Sequence, residues 1–144
     1  MNRTAAENIK EIAEQLDCGF RVFIHNTTKQ LLFVPNENNY PDIDLQFWGK
    51  ELKRLQNNFA DYYEIEKWTT SEAFEMMSAF ANQVTDNKLK SRLLCALKNN
   101  KPFRAFKFII DNSGNFREQW FHFKEKWQQH FVAKLLDRIK STNE

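Results

Sequence analysis

The segments Phe20-Arg21-Val22-Phe23-Ile24 and Leu31-Leu32-Phe33-Val34 decide the fold class, because they predict two strands in a chain otherwise patterned for helices. In the first segment, side chains two residues apart share a face, which places Phe20, Val22 and Ile24 together. Asn26-Thr27-Thr28-Lys29-Gln30 is polar and supplies the turn, and Pro35 ends the second strand. The two segments therefore predict a β-hairpin.

Capping pairs and helical spacing predict the elements around the hairpin. Thr4 with Glu7 and Thr69 with Glu72 are capping boxes, and Gly19 suits the left-handed residue that follows a helix. Apolar side chains spaced three and four residues apart mark the inner faces of the helices. They are Ile9, Ile12, Ala13 and Leu16; Leu45, Trp48, Leu52, Leu55 and Phe59; Ala73, Met76, Met77, Phe80 and Val84; and Leu89, Leu93, Leu94 and Leu97.

Two further helices complete the chain. Pro102 suits the first position of a helix over 102–111 that is apolar on nearly all sides, so this helix is expected to be largely buried. Only Arg104, Lys107 and Asp111 form a polar stripe along it. After the breaker Asn112-Ser113-Gly114, a long helix is predicted to about Lys140. Its predicted inner face is Phe116, Trp120, Phe123, Trp127, Phe131, Leu135 and Ile139, widened by Phe121, Val132 and Leu136.

With Tyr62-Tyr63-Glu64-Ile65-Glu66 as a third strand, the expected fold class is α+β. A small antiparallel sheet of about three strands lies in the first half, and about six helices dominate, the last of them long. The polar segment 36–44 is expected to be a loop, and no linker or repeat divides the chain, so residues 1–144 are expected to form one domain.

Composition restricts the class of protein. The 144 residues are 42% hydrophobic and 15% aromatic with only three glycines and three prolines, which excludes a disordered chain and a turn-rich all-β fold. No apolar run approaches the roughly 20 residues of a membrane span. Residues 1–18 lack the apolar core of a signal peptide, so a cytoplasmic location with no membrane partner is expected.

Charge is distributed unevenly. The net charge is only +2, but residues 1–85 carry 8 lysines and arginines against 13 acids, and residues 86–144 carry 13 against 6. Either the two halves attract each other, which is the favoured interpretation, or the basic half binds a polyanion such as nucleic acid.

The patterns that catalysis or metal binding requires are missing. The glycines are isolated, so no phosphate-cradling loop is present, and the two cysteines and three histidines have no zinc-finger spacing. Cys18 and Cys95 are interpreted as reduced, half-buried thiols, with Cys95 as a small core residue rather than a nucleophile. Glu64 and Glu66 share a strand face and are interpreted as solvated charges. No catalytic residue, metal or cofactor is therefore expected.

One group of basic residues could bind a ligand. Its members are Lys88, Lys90, Arg92, Lys98, Lys101, Arg104, Lys107 and Arg117. Phenylalanines alternate with these cations, as at a nucleic-acid surface, although helical spacing favours phenylalanines in the core and cations at its solvated edge. Arg104 is expected to pack its stem and pair with Glu118. The candidate binding residues are Lys101, Arg104, Lys107, Arg117 and Trp120, and Trp120 is expected in the core against Phe103, Phe106 or Ile110.

Two segments carry a family resemblance, Phe103-Arg104-Ala105-Phe106-Lys107 and Glu118-Gln119-Trp120-Phe121-His122-Phe123. With Ile65, Glu72-Ala73-Phe74-Glu75-Met76-Met77 and the leucines of 89–97, they resemble the small bacterial proteins of uncharacterised protein family 0158. The resemblance covers roughly residues 20–139. The family's Thr-Gly hairpin turn is replaced by Thr27-Thr28-Lys29-Gln30, and its glycine-rich approach to the Phe-Arg segment by Asn99-Asn100-Lys101-Pro102. The resemblance implies one bacterial domain and no particular activity.

These observations favour a non-enzymatic binding or regulatory module of the bacterial cytosol. A nucleic-acid-associated regulator that uses the basic second half is the alternative, and an enzyme with a site assembled from loops is the third hypothesis. The partner stays open between another protein, a second copy of the chain and, less favoured, a nucleic acid.

Overall fold

The computed structural model describes the backbone of residues 5–36 and 45–143 and the side chains of residues 5–36 and 48–139. Two predictions, the Thr4 cap and most of the loop over 36–44, lie outside these ranges. The chain divides into two compact units, a sheet unit formed by Met1–Lys67 with Phe131–Glu144 and a helical unit formed by Trp68–His130. The expectation of a single domain stays a prediction.

In the sheet unit, helix α1 (Ala5–Asp17) precedes strands β1 (Phe20–His25) and β2 (Leu31–Pro35). Gly19 links α1 to β1 with a φ of +89°, as its position after a helix predicted. Helix α2 (Leu45–Asn57) and a 3-10 turn (Phe59–Asp61) lead to strand β3 (Tyr62–Ile65).

The three strands form an antiparallel sheet in the order β2-β1-β3, which confirms the predicted hairpin and the third strand. The register pairs Phe23 with Leu32 and Val22 with Ile65. Both Val22 and Phe23 are buried although successive side chains of a strand point to opposite faces of the sheet. Phe23 packs with Leu55 of α2 in one cluster, and α1 packs against β1.

The predicted face of α2 is correct at Leu52 and Leu55 but wrong at Phe59, which is 66% exposed. The helix ends two residues earlier. The Asn58 side chain donates to the Arg54 carbonyl at 3.1 Å, and the following 3-10 turn winds more tightly than an α-helix. Phe59 therefore leaves the stripe that its spacing predicted.

The helical unit holds α3 (Thr70–Gln83), α4 (Asn87–Ala96), α5 (Pro102–Asp111) and the first part of α6 (Phe116–Asn143). These helices and the sheet confirm the α+β class and the long C-terminal helix. Within the described residues, no helix combines the length and hydropathy that crossing a bilayer requires. The core of the helical unit is formed by Met76, Phe80, Ala81, Val84, Leu89, Leu93, Leu97, Phe106, Ile110 and Trp120.

Helix α5 departs from its prediction. Phe106 and Ile110 are buried, but Phe108 is 68% exposed, so the helix is amphipathic rather than largely buried. Neighbouring elements cover only part of the circumference of this ten-residue helix. The side that bears Phe106 and Ile110 faces the core. On α6, Phe121 is likewise exposed, at the margin of the predicted stripe.

Candidate functional site

A groove of about 650 Å³ lies between α4 and α5. Helix α4 begins at Asp86, whose carboxylate accepts hydrogen bonds from the backbone amides of Lys88 and Leu89 at 3.0 and 3.1 Å. Leu89 and Leu93 point into the core, as helical spacing predicted. Helix α4 contributes Arg92, Cys95 and Ala96 to the lining of the groove, and Asn99 follows the helix; the four residues have the spacing i, i+3, i+4 and i+7.

The short connection after α4 directs α5 to form the second wall. The Asn99 side chain accepts a hydrogen bond from the Lys101 amide at 3.2 Å, and Pro102 then begins the helix as predicted. The stripe of α5 that faces the groove again has helical spacing. It consists of Lys101, Arg104, Ala105, Phe108 and Ile109.

The chemistry of the groove is cationic around an apolar surface. Arg92, Lys101 and Arg104 line it together with the exposed ring of Phe108. The smaller apolar lining residues are Ala96, Ala105 and Ile109. Such a surface can attract an anion and can also offer a flat face to a ring or an apolar group.

The surroundings strengthen the positive potential. The segment 87–110 contains seven lysines and arginines and no carboxylate. None of the seven side chains forms an ion pair or hydrogen bond with any described residue. The favoured interpretation of the charge asymmetry, in which the two halves of the chain attract each other, stays a prediction.

The five residues predicted as binding residues fall into three environments. Lys101 and Arg104 line the groove, whereas Lys107 is exposed on α5 outside it. Arg117 pairs with Asp111 at 3.4 Å and lies over the ring of Phe121, 4.7 Å from its centroid. Trp120 is only 7% exposed and belongs to the core.

Two detailed expectations have opposite outcomes. Trp120 contacts Phe106 with ring centroids 5.0 Å apart, which confirms its place in the core. The expected pairing of Arg104 with Glu118 is wrong, because Arg104 is exposed and no ion pair joins it to a described carboxylate. Since α5 turns Arg104 toward the groove, its guanidinium is available to a ligand.

The sequence interpretation placed two of the lining residues, Phe108 and Cys95, in the wrong environment. Phe108 was assigned to the core and Cys95 to a half-buried position, but both are exposed and line the groove. Cys18 is also exposed, and neither cysteine forms a disulfide. A signal was present, since Lys101, Arg104, Ala105 and Phe108 follow helical spacing just as the apolar stripe does.

The sheet unit has a second concavity of about 640 Å³. Phe20 and Trp48 form part of its wall in an edge-to-face contact with centroids 5.6 Å apart. Its lining cations, Lys50 and Arg54, are accompanied by Glu51, one of whose carboxylate oxygens is buried without a hydrogen-bond partner. The described lining of this concavity therefore has a smaller excess of positive charge than that of the α4–α5 groove, which has three lining cations and no lining carboxylate among the described residues.

The other groups considered for catalysis have structural contacts. His25 accepts hydrogen bonds from the backbone amides of Thr27 and Thr28, both at 3.1 Å. Glu64 receives two hydrogen bonds from Arg21, at 3.0 and 2.7 Å, and is therefore a paired charge rather than a simply solvated one. Over residues 5–36 and 48–139, no three histidine, cysteine or carboxylate side chains cluster in a way that could hold a metal ion.

Comparison with protein families supplies the identity of the chain. The model of the uncharacterised protein family UPF0158 matches residues 4–142. The chain belongs to this family. UPF0158 carries no assigned activity in its description, and neither curated proteins nor solved structures provide a match.

Membership in UPF0158 confirms the resemblance seen at the Phe103–Lys107 and Glu118–Phe123 segments and extends it over almost the whole chain. The first of these segments forms part of the wall of the α4–α5 groove, and the second places Trp120 beneath α5. The residues that carry the resemblance therefore build both the groove and the core that supports it.

Proposed function

We propose that this UPF0158 protein is a non-enzymatic binding module of the bacterial cytosol that holds an anionic partner in the α4–α5 groove. The main support for the proposal is the group of seven cations over 87–110, none of which pairs with a described residue, in a segment that contains no carboxylate of its own. Like charges at this density repel each other, so an anionic partner would lower their electrostatic free energy.

The alternative explanation for these cations is that they only keep a helix face solvated, as surface lysines commonly do. Two features distinguish this surface from that alternative. Three of the cations, Arg92, Lys101 and Arg104, line a concave surface instead of a convex one, and this surface contains a phenylalanine that is 68% exposed. Concave sites with apolar walls and a few polar groups are typical of binding sites.

Cys95 provides a direct test, because it lies in the groove, and Cys18 provides an internal control, because it is exposed on the sheet unit. The purified protein is alkylated with iodoacetamide in the presence of polyglutamate, polyuridylate or duplex DNA. We expect at least one of these polyanions to slow the modification of Cys95 and not that of Cys18. The protection should weaken as salt is raised from about 50 to about 200 mM.

Two double variants separate the effect of the cations that line the groove from the effect of overall positive charge. Arg92→Gln with Arg104→Gln removes two lining cations, and Lys88→Gln with Lys107→Gln removes the same charge from the same two helices outside the lining. The first pair should abolish most of the protection and the second should weaken it slightly. Equal rates at Cys95 with and without every polyanion would refute the proposed function.

A nucleic-acid-associated regulator is the second candidate function. The exposed Phe108 ring within the cationic groove favours it specifically, because nucleic acids combine phosphates with flat bases.

A further inference from the structure

The positive charge of the groove does not explain why the ring of Phe108 is exposed there. Its ring is 68% exposed, whereas Phe106 on the same helix is buried, so the core of the helical unit is complete without Phe108. It also lacks any ring contact or cation–π contact to a described residue. An apolar ring left free in the middle of a cationic groove is suited to a partner that is both anionic and flat.

We infer that the α4–α5 groove binds single-stranded nucleic acid, with a base stacked on Phe108 and backbone phosphates contacting Arg92, Lys101 and Arg104. The inference rests on the proposed function and adds the class of partner and the residue that holds the base. Aromatic side chains that stack bases, set in a positively charged groove, are the combination by which single strands are bound without sequence preference.

Single strands fit better than duplexes because of Phe108. In a duplex the faces of the bases are stacked on one another, so the exposed ring could contact them only by wedging between base steps and unstacking them. In a single strand the base faces are free. Phosphates are present in both kinds of nucleic acid, and the lining cations Arg92, Lys101 and Arg104 can contact them in either case. These cations therefore contribute to affinity but do not discriminate between single strands and duplexes.

An acidic peptide is the competing partner. Its carboxylates would satisfy the same cations, but a run of acidic side chains offers nothing to the exposed ring of Phe108. The two partners therefore differ in their dependence on Phe108.

The salt dependence gives a magnitude. If the three lining cations each neutralise one phosphate, the affinity for a single strand should fall about 20-fold between 50 and 200 mM salt. Replacing Arg104 with glutamine should reduce the slope by about 0.7 in log–log units.

The decisive experiment measures binding of fluorescein-labelled oligouridylate and oligothymidylate of about 12 nucleotides, of a duplex of the same length, and of polyglutamate. The wild-type full chain is compared with Phe108→Ala and with Phe59→Ala. Phe59 is the matched control, because it is 66% exposed and lies in the sheet unit. Both rings are exposed, so we expect both variants to keep the urea midpoint of the wild type.

We expect the single strands to bind more tightly than the duplex, and Phe108→Ala to weaken their binding at least about fivefold, since one base loses its stacking platform. Phe59→Ala should change the affinity less than twofold. Cys95 should be protected from alkylation by the single strands, and Phe108→Trp should retain or raise their affinity because it keeps a stacking face.

Three outcomes overturn the inference. They are equal binding of duplex and single strand, unchanged affinity in Phe108→Ala, and protection of Cys95 by polyglutamate alone. The last result would leave the proposed anionic partner in place and make it an acidic peptide, whereas no protection by any polyanion would remove both proposals.

Discussion

Lys29 closes the hairpin between β1 and β2 with a φ of +63°, in the left-handed region that residues with a Cβ rarely adopt. Its backbone amide donates to the His25 carbonyl at 3.0 Å, and its ammonium donates to the Asn26 carbonyl at 2.8 Å. These bonds hold a conformation that lysine disfavours by roughly 1–2 kcal/mol. The strain at this single residue is a local weakness of the sheet unit.

Replacing Lys29 with glycine should therefore stabilise the protein. Relief of the left-handed strain outweighs both the greater entropy of glycine in the unfolded chain and the loss of one exposed hydrogen bond. We expect the free energy of unfolding in urea to rise by roughly 0.5–1 kcal/mol. Thr27→Gly is the matched control, because Thr27 is exposed in the same turn and does not have a positive φ. It should lower stability, and a loss in both variants would contradict the strain at Lys29.

At the scale of elements, α3 shows that a short-range sequence pattern can determine where a helix begins. The Thr69 hydroxyl accepts a hydrogen bond from the Glu72 amide at 3.1 Å, and the Glu72 carboxylate accepts one from the Thr69 amide at 2.9 Å. This reciprocal capping box begins the helix at the residue that the sequence predicted. Met76 and Phe80 follow about two and three turns after Thr69, in the core.

Thr69→Ala removes the side-chain half of the capping box and should cost about 1 kcal/mol of stability. Ser71→Ala is the control, because Ser71 is exposed in the first turn of α3 and makes no side-chain hydrogen bond to a described residue. Urea unfolding followed by circular dichroism measures both variants. If both midpoints shift equally, the effect belongs to helix propensity and not to the cap.

At the scale of the whole molecule, the helical unit is held together by aromatic packing around Trp120. Its ring meets Phe106 of α5 with centroids 5.0 Å apart and Phe80 of α3 with centroids 5.3 Å apart, both near edge-to-face. One side chain of α6 therefore joins three helices. Edge-to-face pairs contribute roughly 0.5–1.5 kcal/mol each beyond the burial of their area.

Trp120→Ala should cost roughly 3–5 kcal/mol, because it leaves a cavity among the packed rings of α3, α5 and α6. That is a large part of the total stability of a domain of this size. Phe108→Ala is the comparison, since it removes another large aromatic side chain from a surface position and should change the urea midpoint little. A midpoint unchanged in Trp120→Ala would show that Trp120 does not support the core.

The candidate site was predicted in part. Lys101 and Arg104 were selected from sequence and do line the groove, because their spacing on α5 depends only on helix geometry. Phe108 and Cys95 were assigned to buried or half-buried positions although they line the groove, and three other candidates do not line it: Lys107, Arg117 and Trp120. Periodicity identifies residues that share a face, but on a helix apolar on nearly all sides it does not say which face is covered.

The sequence by itself determined what short-range physics controls. Capping side chains, the left-handed Gly19, Pro102 at a helix start and the two spacings of strand and helix act over a few residues, so the elements and the α+β class were predictable. Only the tertiary structure decided that Phe106 is buried and Phe108 is not, and that the cations of α4 and α5 meet across one groove. These outcomes depend on which neighbour packs against each helix, and burial is a property of that packing rather than of the local chain.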